Sequence, residues 1–247
     1  MKKWLVHHPA PSHKLRLFCF SYAGGNAMIY RAWQAALGPQ IEVCAIQLPG
    51  RGARMMEPLY SNMQELVPVI AQVIASQNNM PFAFFGHSLG ALLSFEVARY
   101  CQFQHLPQPV HLIASGTSAP QKRSASKNMH LMSDADLTVE LQKYNGTPPE
   151  VLAHRELMEL VLPMIRADFS LVDTYQYRPM PLLSLPITVF AGRADDRVDE
   201  DQVNYWQKET SGAFQIEWFE GGHFFINTEA AAVHAKVLAH LKPYLPR

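Results

Sequence analysis

Phe82-Ala83-Phe84-Phe85-Gly86-His87-Ser88-Leu89-Gly90 is an apolar run that passes through a G-x-S-x-G pentapeptide into a helical pattern. In that context the pentapeptide builds a nucleophile elbow. Gly86 and Gly90 let strand and helix approach across a tight turn, and the Ser88 hydroxyl is left exposed at its apex. A hydroxyl is a weak nucleophile at neutral pH, so Ser88 needs a base within hydrogen-bond reach and an acid behind that base. The chemistry on offer is acyl transfer to water through an acyl-enzyme.

Eleven histidines could supply the base. In an α/β-hydrolase sheet the chain order is Ser, acid, His, which leaves His223, His234 and His240. His234 and His240 fall inside the helical stretch Thr228–Leu241, whereas His223 follows a strand-like run through Gly221-Gly222. His223 is therefore the expected base. His87 adjoins Ser88 on so sharp a turn that the two side chains point apart, and it reads as a packing or hydrogen-bonding residue. The acid lies in Gly192-Arg193-Ala194-Asp195-Asp196-Arg197-Val198, where G-x-x-D-x-x-V selects Asp195 and leaves Asp196, one residue on, as the alternative. The oxyanion needs two backbone donors. Leu89 N–H supplies one, and the loop Ser21-Tyr22-Ala23-Gly24-Gly25-Asn26 offers Ala23 N–H as the other.

These groups need a sheet edge to hold them. Runs rich in β-branched and aromatic residues recur at Leu15–Phe20, Ile41–Ile46, Phe82–Phe85, Val110–Ala114, Ile187–Ala191 and Phe214–Phe219, each apolar enough for a strand covered on both faces. Helical patterns alternate with them: one to about Gln77 opened by a capping box of Ser61 with Gln64, then Leu89–Cys101, Glu200–Lys208 and Thr228–Leu241. The expected fold is α/β, an α/β-hydrolase fold with a mostly parallel sheet and helices on both faces. The alternation breaks between Ala114 and Ile187, where Ser133-Asp134-Ala135-Asp136 and Thr147-Pro148-Pro149-Glu150 read as helix starts. A helical insertion above the C-terminal edge of a parallel sheet is placed to be a lid. The expectation is one domain over 1–247 with a lid at about 115–178.

Composition narrows the function classes. Lys+Arg and Asp+Glu both number 21, with no basic run to neutralise phosphates, so nucleic acid is not an expected partner. The N-terminal apolar stretch is too short for a signal peptide and no run approaches a membrane span, so the expected setting is cytoplasmic, with no membrane partner. Cys19, Cys44 and Cys101 lack CxxC or zinc-ligand spacing and read as reduced packing residues. His7, His8 and His13 lack acidic partners in their segment, so neither a metal nor a cofactor is expected. The G-x-G-x-x-G spacing of a dinucleotide site is absent.

Phe20-Ser21-Tyr22-Ala23-Gly24-Gly25, Leu48-Pro49-Gly50-Arg51-Gly52-Ala53-Arg54, the elbow, Gly146-Thr147-Pro148-Pro149-Glu150, Arg166-Ala167-Asp168-Phe169 and Gly221-Gly222-His223-Phe224-Phe225 together resemble the type II thioesterases that accompany non-ribosomal peptide and polyketide synthases. The likeness runs from about Leu15 to Leu241. It departs at Ser21, where a proline is common, and at Arg193-Ala194, where an acidic residue often precedes the aspartate. The resemblance implies hydrolysis of acyl groups from the phosphopantetheine thiol of acyl- or peptidyl-carrier domains. The sequence holds no carrier-like or adenylating segment, so the carrier is expected in trans, and a monomer is the expected state. The rival enzyme readings are a single-carrier fatty-acyl thioesterase and a small-ester carboxylesterase. The rival without catalysis is a hydrolase-fold binding module. Arg51 and Arg54 have two readings, contact with the pantetheine phosphate or local pairing with Glu57, and local pairing is preferred.

Overall fold

Alternate residues of each central strand go to opposite faces of one sheet in the computed structural model, which describes residues 3–77, 79–144, 146 and 149–246. The sheet has seven strands in the order β1-β3-β2-β4-β5-β6-β7. These are β1 (Leu5–Val6), β2 (Leu15–Phe20), β3 (Ile41–Ile46), β4 (Phe82–His87), β5 (Leu112–Ser115), β6 (Ile187–Gly192) and β7 (Phe214–Phe219). β1 pairs antiparallel with β3, and every other pairing is parallel. Phe82 and Phe84 enter the core on one face, and Ala83 and Phe85 the core on the other. That division is why these strands read as continuous apolar runs.

α1 (Trp33–Leu37) covers the face of Phe85, and α2 (Met63–Ala75) with α3 (Leu89–Phe103) covers that of Phe84. Asn62, not Ser61, caps α2, its Oδ1 accepting from Gln64 N–H at 2.8 Å. Starting one residue later makes Met63 the first helical residue and aligns it with Leu66, Val67 and Ile70 on the buried face. β5 likewise begins at Leu112 and not at Val110. Val110 N–H still donates to Phe82 O at 2.8 Å, but the backbone bends there, just after Pro109.

Between β5 and β6 the chain leaves the sheet for α4 (Asp134–Tyr144), α5 (Pro149–Leu152) and α6 (Arg155–Asp173). Leu137, Leu141, Met158, Leu162, Ile165 and Phe169 form their shared core, separate from the two sheet cores. Ser133 opens α4, its Oγ accepting from Asp136 N–H at 3.1 Å. Thr147 and Pro148, the expected start of α5, lie outside the described residues. The fold ends with α7 (Glu200–Asn204), α8 (Phe225–Thr228) and α9 (Ala230–Leu241), the last packing beside α1.

The three cysteines are free and buried. His7 pairs with Glu42 at 2.6 Å, and His13 Nδ1 accepts from Ala10 N–H at 3.1 Å. No helix among the described residues is long and apolar enough to cross a membrane.

Candidate active site

β4 runs straight into α3, and Ser88 forms the whole of the turn between them. Its φ of 57° with ψ of −117° is a conformation that a side chain tolerates only when the surroundings enforce it. The flanking glycines supply that enforcement. A Cβ on Gly86 would stand 2.1 Å from Gly90 O, and one on Gly90 would stand 2.1 Å from Phe20 O. Strand, helix and the end of β2 therefore touch backbone to backbone. Ser88 N–H donates to Ser115 O at 2.8 Å, fixing the apex to the end of β5.

Two further loops meet at the same edge. The turn after β6 is stitched to the turn after β7, because Arg193 N–H donates to Phe219 O and Ala194 N–H to Gly221 O, both at 2.9 Å. Gly221 adopts φ of 93°, which favours glycine, and the chain then presents His223. His223 Nδ1 lies 2.8 Å from Asp195 Oδ2, and Nε2 lies 3.1 Å from Ser88 Oγ. An ionised carboxylate only accepts, so Nδ1–H donates to Asp195 and Nε2 faces the Ser88 hydroxyl as acceptor. The Asp195 side chain is 2% exposed, and its Oδ1 accepts from Arg197 N–H at 3.0 Å. Asp196 turns outward, 88% exposed beside Arg197. The structure thus brings Ser88, His223 and Asp195 into one hydrogen-bonded series and leaves Asp196 out of it.

His87 is fully buried on the other side of the turn, its Nδ1 sharing a hydrogen bond with Ser115 Oγ at 2.9 Å. A Cβ on Gly116 would stand 2.4 Å from its ring, so only glycine leaves room for it. Burial, reinforced by the nearby His223, holds the His87 imidazole well below its usual range and keeps it neutral. It adds no charge beside the imidazole that faces Ser88.

Leu89 opens α3 directly after Ser88, and Ala23 lines the same cavity as Ser88 and His223. The Ala23 loop has an anchor that sequence reasoning missed. Gly24 N–H donates to Asp168 Oδ2 at 2.8 Å, and Asp168 on α6 takes a bidentate pair from Arg51, both bonds 2.7 Å. Arg51 also donates to Gly25 O at 3.0 Å. Arg51 therefore does not pair with Glu57. Arg54 does, at 2.6 Å, while its guanidinium lies 3.9 Å above the Trp4 ring. The Arg51 partner is 117 positions away in the chain, so local spacing carried no trace of it. Both members of the pair are buried, and Asp168→Asn strands the Arg51 charge at a cost of about 3 kcal/mol. The urea midpoint should fall accordingly, and an unchanged midpoint would show that the pair holds nothing.

The insertion roofs the site. Tyr144 of α4 stands edge-on to the His223 ring with centroids 6.3 Å apart, and the Arg197 guanidinium packs 3.4 Å from the Tyr144 ring centre. Beneath lies a cavity of about 780 Å³. Its lining includes apolar Val161, Met164, Ile165 and Phe169 from α6 and polar Thr117, Ser118, Gln121 and Ser124 from the segment after β5. A serine, a histidine and an aspartate joined in this way can form and hydrolyse an acyl-enzyme.

Comparison with known proteins agrees in fold and family. Residues 15–242 match the thioesterase domain family. The chain is 42% identical to the gramicidin S biosynthesis protein GrsT of Aneurinibacillus migulanus, over 92% of this chain and 89% of that one. It is 39% identical to the protein named linear gramicidin dehydrogenase LgrE of Brevibacillus parabrevis, over 98% of this chain and 94% of that one. The solved type II thioesterase BorB from the borrelidin biosynthetic cluster superposes with a TM-score of 0.88 at 35% identity, covering 96% of this chain and 97% of that one. With the α/β-hydrolase sheet, its helical insertion and the serine elbow all present, this chain belongs to the thioesterase family, in company with its type II members.

Proposed function

We propose that this thioesterase releases acyl groups from the phosphopantetheine thiols of acyl- or peptidyl-carrier domains, clearing non-ribosomal peptide or polyketide synthases of stalled or wrongly primed chains. Ser88 is the nucleophile, His223 the base, Asp195 the acid behind it, and Ala23 and Leu89 the oxyanion donors. The observation that carries the reading is the hydrogen-bonded series from Ser88 through His223 to Asp195, set under a roofed cavity in a chain of this family. The likeness to a gramicidin S biosynthesis protein and to a thioesterase of a borrelidin cluster supports the assignment to such synthases.

Ser88 attacks the acyl carbonyl while its proton passes to His223 Nε2, and Asp195 holds the ring in the required tautomer and stabilises the imidazolium. The oxyanion falls to the two backbone donors, each worth about 3 kcal/mol in comparable sites. The thiol then leaves with the proton from His223. A cysteine-like thiol has a pKa near ~8.5, so it departs with less protonation than an amine needs. Water, deprotonated by the same histidine, releases the acid. A carrier adds binding energy remote from the carbonyl and places the pantetheine arm under the roof. For one acyl group, kcat/KM on a holo-carrier should exceed that on a short pantetheine thioester. Comparable values, or faster cleavage of the oxygen ester, would favour the free-ester reading.

We also assign 1–247 to one domain in which the insertion at about 115–178, leaving the sheet after Ser115, acts as a lid, working in the cytoplasm, where three buried free thiols are stable. Asp168 ties α6 to the body, so opening should begin in α4 and α5. Hydrogen exchange should find α4 amides less protected than those of Phe82–Phe85. Equal protection would count against a gate.

A further inference from the structure

The charges around the cavity are almost all answered within the protein. Lys127 and Lys143 reach Glu140 at 3.5 and 2.5 Å, and Arg197 packs on Tyr144 with Asp196 at 3.8 Å. Both Asp173 oxygens are taken, Oδ1 by Ser126 Oγ–H at 2.7 Å and Oδ2 by His130 N–H at 3.0 Å and its ring Nδ1 at 2.9 Å. Arg123 is the exception. Its guanidinium lines the cavity, half-buried, and its side chain makes one long hydrogen bond, from Nη1 to Thr117 Oγ1 at 3.3 Å, with no carboxylate in salt-bridge reach among the described residues. An arginine stays charged even where burial lowers its pKa, as it does here, so this cation has no directly paired counter-ion in a partly desolvated wall, Asp173 acting on it only from beyond salt-bridge reach.

Its place says what would supply one. The segment after β5 starts at the sheet edge, where Ser115 O holds Ser88 N–H, runs buried through Thr117 and Ser118 to Pro120, and emerges at exposed Gln121 and Lys122, with half-buried Arg123 next. Arg123 lies just past the point where the chain emerges and lines the same cavity as Ser88, His223 and the α6 residues Met164 and Phe169, near Tyr144 and the Asp173 end of α6. We propose that Arg123 binds an oxyanion carried by the substrate, either the phosphodiester of the pantetheine arm or a carboxylate on the acyl group, and so selects anionic thioesters. Both sources present a pair of anionic oxygens to the guanidinium fork.

The proposal rests on the thioester-hydrolase reading, and the test separates the two. Parent, Arg123→Gln and Arg123→Lys proteins are assayed on one neutral acyl group carried by pantetheine and by 4′-phosphopantetheine, and on a dicarboxylic monothioester of unphosphorylated pantetheine. Loss of a charge-assisted hydrogen bond should lower Arg123→Gln kcat/KM about 10- to 100-fold on the anionic substrate it recognises, mainly through KM, and less than about 3-fold on the neutral pantetheine thioester. Arg123→Lys should recover part of the loss. A selective drop on the phosphopantetheine thioester identifies the phosphate as the anion, and a selective drop on the dicarboxylic thioester identifies the acyl carboxylate. An equal drop on all three substrates, or none on any, overturns the proposal. A parent protein inert on every thioester would instead overturn the hydrolase reading beneath it.

Discussion

Replacing Ser88 by alanine should lower kcat on an acyl thioester by about 10⁶-fold while leaving the fold intact, the scale of loss when a serine hydrolase is stripped of its nucleophile. The fold should survive because alanine removes only the Oγ. The strained φ of 57° is imposed by backbone contacts at Gly86 and Gly90 and by the Ser88 N–H bond to Ser115 O, none of which uses the hydroxyl. Turnover should not survive, because the covalent intermediate has nowhere else to form. A fluorophosphonate probe should label the parent at Ser88 and leave Ser88→Ala unlabelled. Labelling of the variant at another serine would remove the elbow from the mechanism.

Asp195→Asn should be nearly as severe, reducing kcat by up to about 10⁴-fold. The amide keeps the shape, but its NH2 group can donate to His223 Nδ1, leaving Nε2 protonated and unable to take the Ser88 proton. It also cannot stabilise an imidazolium. Asp196→Asn should change kcat by less than about 2-fold, because its side chain is solvated and its contact with Arg197 is an exposed pair of small worth. If the two variants rank the other way, the loop turns by one residue in the working enzyme and Asp196 is the acid.

What could be read from the sequence follows from how local each constraint is. Strands buried on both faces advertise themselves as apolar runs, so β2 to β7 were visible, though Pro109 and the bend at Val110 delay β5 to Leu112. β1 escaped because it is two residues long and only one of them, Leu5, is buried. Ser88, His223 and the Asp195/Asp196 pair were legible because each follows a strand into a loop at one sheet edge, and a parallel sheet gathers such loops. The choice between the aspartates depends on how the turns after β6 and β7 are stitched together, a contact between chain segments that spacing does not encode. The same limit hid Asp168, whose bonds to Arg51 and Gly24 join a loop, the insertion and the end of β2. It also hid the cap of α2, where Ser61 and Asn62 are equally good capping residues and the burial of Met63 decides.

The most direct test of the account is to mix the protein with an acyl-loaded holo-carrier, quench in acid at successive times, and weigh both proteins intact and the thioesterase again after digestion to peptides. The account predicts that the carrier loses the acyl mass and regains a free thiol, while that mass appears transiently on the thioesterase, in the peptide containing Ser88, and never on the Ser88→Ala protein. A carrier that stays acylated while a free oxygen ester of the same acid is consumed would contradict it.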